Sequence, residues 1–255
     1  MKKQSKESIV LFSVLFISSC SGSIDRSLSP PSDTQWVKVE VKNPSLYTRP
    51  FPLKVVYISH KCLKRRISGV DGSQIKEPSY YGINMPLEQQ GSSNVWQTKV
   101  AMLGGGRCHW TLSEFTMGIG YIDATHLGKD LVPGTNVGAT IAFDSDATRN
   151  GQFSTLPGNG ILAPKYYPYI TERNINEKQK YLSLLGKEDF LMYRNFNSEN
   201  IFFSPEIDER KVVRFVEPEK KVDGVYPKII YPDGTLAPDD VLFPDFNKVD
   251  GMSVK

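Results

Sequence analysis

Trp36-Val37-Lys38-Val39-Glu40-Val41-Lys42 decides the fold class. Valine alternates with charge throughout, so residues 37, 39 and 41 fall on one face of an extended chain and 38, 40 and 42 on the other. A helix would scatter the same valines around its circumference. The stretch is a strand with one dry and one wet face, and Asn43-Pro44 ends it. Downstream, Leu53 to Ile58 (LKVVYI) is denser in apolar residues and reads as a more central strand leading to Cys62. Asp71-Gly72 and the prolines at 78 and 86 mark an irregular connection. Trp96 to Leu103 forms a strand broken at Gly104-Gly105-Gly106, where a backbone bend or bulge is expected, and a further strand runs from Cys108 through Trp110 and Leu112 toward Tyr121. Gly138 to Phe143 and Gln152 to Leu156 look like a hairpin pair around Asn150-Gly151, a favoured tight-turn dipeptide. Strand signals return at Ile201 to Phe203, Lys211 to Val216 and Val225 to Tyr231, followed by a Pro232-Asp233-Gly234 turn. Between them, Thr171 to Leu185 has few β-branched residues and stops at Gly186, so a short helix starting near Asn176 is expected. The last twenty residues read as loosely structured. The expected fold is mainly β, an antiparallel β-sandwich-like architecture with one or two short peripheral helices. Twenty glycines and seventeen prolines against 39% hydrophobic residues favour the same class over a helical bundle.

The amino terminus fixes the compartment. Lys2, Lys3 and Lys6 precede an apolar run from Ile9 to Ile17, and small residues follow, Ser18-Ser19-Cys20-Ser21-Gly22. Residues 1–19 read as a secretory signal whose apolar core is too short to span a bilayer. Ile17-Ser18-Ser19-Cys20 resembles the lipobox of bacterial lipoproteins, with Ile17 and Ser19 as tolerated variants. An ordinary signal with an incidental cysteine is the alternative. The resemblance implies cleavage before Cys20 and acylation of its thiol and new amino group, and several acyl chains on one residue anchor firmly. Ser21 stands where an aspartate would retain an enterobacterial lipoprotein in the inner membrane, which implies an outer-membrane anchor facing the periplasm. Residues 20–35 then read as a flexible serine- and proline-rich tether, and 36–255 as a β-rich binding domain. Loss of residues 1–19 lowers the formal charge from +3 to +1. That balance gives no basic footprint and argues against nucleic acid as a partner.

With Cys20 claimed by lipid, Cys62 and Cys108 remain as a pair in an oxidising compartment. A disulfide between them closes a loop of about 47 residues, worth roughly 4 kcal/mol of chain entropy. Two free buried thiols are the alternative.

Constellations for catalysis are thin. His60 and His109 each lie within two residues of a cysteine, but a metal needs three or four converging ligands, and no metal or cofactor is expected. No G-x-S-x-G elbow occurs; Thr125-His126 with Asp123 and Asp130 could form half a triad but reads more simply as a polar loop. Asp144-Ser145-Asp146 with Arg149, Asn150 and Gly151 spaces oxygen ligands as a calcium loop does, yet lacks its glycine and its twelfth-position glutamate. An acidic, protruding hairpin tip is the favoured reading. Tyr166, Tyr167 and Tyr169 either line the core or form a contact surface. The protein is expected not to be an enzyme.

The segment Trp96 to Asp144, continued by GQFSTLPGNG and KYYPYI and later by YPKIIYPDG, is similar to enterobacterial lipoproteins found beside type VI secretion phospholipase effectors. Those proteins are immunity factors. The resemblance implies a β-rich periplasmic protein that binds a secreted phospholipase and occludes its active site, with no catalytic residue carried over. Its candidate contacts are Asp144, Asp146, Arg149 and Asn150 at the acidic tip and Tyr166, Tyr167 and Tyr169. The rival is a structural or assembly lipoprotein of the cell envelope.

Overall fold

A computed structural model describes residues 23–148, 151–195, 198–239 and 241–253. Valines 37, 39 and 41 are fully shielded, as their alternation requires. Their strand, Trp36–Lys42, lies at the centre of a five-stranded sheet. It pairs antiparallel with Val95–Ala101 and parallel with Asn200–Phe203, and the short strands Glu88–Gln89 and Ile161–Leu162 form the edges. A second, eight-stranded sheet packs against it. Its backbone is Leu53–Ile67 between Gln74–Met85 and Trp110–Tyr121, continued by Val137–Ala142, Phe190–Arg194 and Ser154–Thr155. Val37, Val39 and Val41 share one core with Leu53, Val55, Trp110, Phe115 and Ile141, so the two sheets form a sandwich. Tyr57 ties the layers together: its hydroxyl crosses to the Ala101 carbonyl at 3.0 Å, and burial pushes its pKa up to about 12.

The third sheet has Lys165–Arg173 near its middle, flanked by Gln179–Gly186 and Val213–Val216, with Lys228–Ile230 and Leu131–Pro133 at the edges. Strand alternation splits the three tyrosines between two cores. Tyr166 and Ile170 join the sandwich core, while Tyr167 and Tyr169 pack with Val213, Ile229, Tyr231 and the helix Phe246–Gly251. Asp245 caps that helix by accepting from the Asn247 and Lys248 amides. Residues 246–251 thus form a capped helix seated on Tyr167, in a segment where loose structure was expected. Phe246 stacks on the Tyr167 ring with centroids 5.8 Å apart.

Several expectations need correction. The segment read as a helix from Asn176 is the strand Gln179–Gly186, antiparallel to Lys165–Arg173. Leu182 and Leu184 face the sandwich core, and this long-range burial overrides local helical preference. Gly186 does not stop a helix. It faces Tyr166 across the ladder, where an added Cβ would lie 2.7 Å from the Lys165 carbonyl. The sheets are mixed rather than antiparallel. Phe190–Arg194 runs parallel to Val137–Ala142 on one side and to Ser154–Thr155 on the other, so the anticipated hairpin is split by an intervening strand. The connection around Pro78 is instead the long strand Gln74–Met85. It tolerates proline because it is an edge strand and because Pro78 stands at the shift in register between Ser59 and Leu63.

Nor does the folded part begin at Trp36. Leu28 and Ile24 pack on the sandwich core, the Ser29 amide donates to the Gly104 carbonyl at 2.8 Å, and the Trp110 indole donates to the Asp25 carbonyl at 3.1 Å. The three glycines at 104–106 make this possible. A Cβ on Gly105 would lie 2.1 Å from the Ser29 carbonyl oxygen, and one on Gly106 would lie 2.3 Å from that of Ser27. The supposed tether is docked chain from about Ser23 onward. Cys20 lies outside the described residues.

Candidate interaction surface

The acidic loop leaves Val137–Ala142 at Asp144. Asp144 Oδ1 accepts the Ala147 amide at 2.8 Å, which closes a tight local turn. Asp146 reaches His60 at 3.6 Å, and the Arg194 guanidinium donates to Ser145 Oγ at 3.1 Å. The described part of the loop thus contacts two different strands. Glu114, half-buried on the neighbouring strand, has its carboxyl pushed up, first by burial and then by the charge of Asp144. Among the described residues no three His, Cys, Asp or Glu side chains gather as a metal site. Arg149 and Asn150 lie outside the described residues.

Beside this loop the strand Phe190–Arg194 turns two large apolar side chains outward. Leu191 and Tyr193 pack on the core, whereas Phe190 and Met192 stand 39% and 44% exposed. Their immediate partners in the ladder are Gly138 and Thr140, too small to cover them. With Gly151 and Phe153 they line a shallow depression of about 710 Å³. Two exposed apolar side chains thus stand in a depression that Gln152, Ser154 and Glu188 also line, with the acidic loop joined to the same strand through Arg194, a mixed surface that suits protein–protein contact. Sequence reading missed Phe190 and Met192 because Phe190-Leu191-Met192-Tyr193 is apolar throughout and shows no alternation. A short unbroken apolar run is itself a strand signal, and would have marked them.

The tyrosines offered as contacts are not on this surface. Tyr166 and Tyr167 are 0% and 2% exposed and Tyr169 is 9% exposed. They are core residues, and burial pushes the Tyr169 pKa up to about 12.

The histidines separate as well. His60 pairs with Asp146, while His109, in a turn with φ of 49°, lies 3.1 Å from the Lys61 ammonium. His126 stacks flat on Tyr47, with centroids 3.7 Å apart, and lies 3.5 Å from Glu209. Ser45 Oγ donates to the same Glu209 oxygen at 3.0 Å. The carboxylate stands between hydroxyl and imidazole, whereas a nucleophilic serine needs the imidazole in the middle. Asp123 is occupied in bonding the Thr125 amide and hydroxyl.

The disulfide is present. Cys62 and Cys108 are bonded with Cα atoms 5.2 Å apart, at the point where Leu53–Ile67 leaves the sheet. Among the described residues no helix is long and apolar enough to cross a membrane. No family model, curated protein or solved structure matches this chain.

Proposed function

We propose that the chain is a lipid-anchored periplasmic immunity protein that binds a secreted phospholipase effector of a type VI secretion system and blocks access to its active site. The observation that carries this reading is the exposed Phe190 and Met192 beside an acidic loop tied back at Ser145 and Asp146. Apolar anchors supply contact energy, and a loop fixed in advance loses little entropy on binding. The lipobox at Cys20 and the likeness of Trp96 to Asp144 to phospholipase immunity lipoproteins point the same way. A lipase delivered to the periplasm threatens the leaflets there, so an inhibitor tethered to one of them sits beside the substrate.

Co-expression tests the reading in cells. Periplasmic expression of a lipase encoded next to this protein should arrest growth, and this protein should relieve the arrest. A toxic lipase that it fails to counter would favour the envelope-assembly alternative.

A further inference from the structure

Beyond Ile58 the strand Leu53–Ile67 loses its pairing with Trp110–Tyr121 and pairs only with Gln74–Met85. Residues 63–67 and 74–78 thus form a two-stranded ribbon that leaves the body, with the Cys62–Cys108 disulfide at its foot. Lys61 to Glu77 carries five cationic side chains and two carboxylates, whereas the whole chain after residue 19 has a formal charge of only +1. The segment is more positive in net charge than the chain after residue 19 as a whole.

The two faces of the ribbon differ. On one, Lys64 and Arg66 both reach Glu77, at 3.6 and 2.8 Å. On the other, Arg65 stands directly opposite Lys76, and neither has a carboxylate partner among the described residues. Like charges directly opposite one another destabilise a strand pair, so an intramolecular role does not explain them. Leu63 and Ile67 flank Arg65 on the same face and are 42% and 68% exposed, and Val70 at the tip is 97% exposed. Apolar side chains alternating with unpaired cations suit a surface that is apolar beneath and anionic above.

The first described residues lie at the same end of the molecule. Asp25 is bonded to Trp110, two residues beyond Cys108, and the Arg26 guanidinium lies over the Tyr81 ring at 5.9 Å. From Ser23 back to Cys20 the chain can span at most about 10 Å. We propose that the Leu63, Arg65, Ile67 and Lys76 face of the ribbon rests on anionic phospholipid headgroups of the leaflet that holds the Cys20 lipid. It adds a second membrane contact to the anchor and gives the domain a fixed orientation, with the Arg65–Lys76 face toward the bilayer. The placement beside the anchor rests on the lipoprotein reading; affinity of the ribbon for anionic lipid does not.

Flotation tests this with the unlipidated, oxidised chain from Ser21 to Lys255, which retains both cores and the disulfide. It should bind vesicles of phosphatidylethanolamine and phosphatidylglycerol, bind phosphatidylcholine vesicles far less, and release in high salt. Arg65→Gln and Lys76→Gln should each weaken binding about fivefold. Neither should lower the thermal midpoint, since each relieves a like-charge opposition. Equal binding to both vesicle types, or binding indifferent to the two substitutions, would overturn the proposal. Loss of lipase binding in the double variant would also overturn it, by assigning the face to a protein partner. Failure of Cys20 acylation would leave these vesicle results unaffected.

Discussion

Ser59 bridges the disulfide from the inside: its hydroxyl donates to the Cys108 carbonyl and accepts the Cys62 amide at 2.9 Å. It is fully buried at the bulge where the ribbon leaves the second sheet. Ser59→Ala removes one group and strands two, so it should cost about 1–3 kcal/mol. Urea unfolding of the oxidised protein measures this, and an unchanged midpoint would contradict the bridging role.

Tyr167→Ala should destabilise the protein by about 3–5 kcal/mol, as truncation of a buried aromatic does. Any loss of partner binding in that variant should track unfolding. A folded Tyr167→Ala protein with selectively impaired binding would return this tyrosine to the contact surface.

Acid should loosen the carboxyl-terminal helix. Hydrogen bonds from Lys165 and Tyr167 hold Asp250 down to about 2, below its ordinary value. A carboxylate depressed by folding adds stability above its unfolded pKa of about 3.9 and loses it as pH falls through the folded value. The window is therefore roughly pH 4 to 2. In Asp250→Asn, unfolding midpoints should lose that part of their pH dependence, and parallel profiles for the two proteins would refute the assignment.

Met192→Ala and Phe190→Ala should leave stability nearly unchanged, since both side chains are half-exposed. A true anchor among them should cost the complex 2 kcal/mol or more, about thirtyfold in affinity. Asp146→Ala, which frees the loop from His60, should weaken the complex mainly through a faster dissociation rate. Calorimetry and surface kinetics with the purified lipase would read all three, and unaltered constants would place the contact elsewhere.

The central strand of the first sheet was legible because Trp36–Lys42 has one face in water, and the alternation of Val37, Val39 and Val41 records that asymmetry. Legibility failed where both faces are covered. Lys165–Arg173 and Gln179–Gly186 lie between two cores, so their apolar residues carry no period, and glycine at 186 looked like a stop. The docking of residues 23–34 was hidden for another reason. It depends on room left by Gly104, Gly105 and Gly106 for a segment with little hydrophobicity of its own, a fact about distant residues. The disulfide was readable from the cysteine count together with the compartment that the amino-terminal pattern led one to expect. Of the proposed surface, the acidic loop was visible as composition, while Phe190 and Met192 required knowledge of which side of their strand faces out.

Inhibition of the enzyme itself is the decisive measurement for an immunity role. The purified chain from Ser21 to Lys255 is titrated into a phospholipase encoded beside it, with hydrolysis of phospholipid vesicles as the readout. A stable complex of nanomolar affinity, about −12 kcal/mol, should form, with hydrolysis lost in step with its formation. Undiminished hydrolysis at saturating concentrations of this protein would contradict that role.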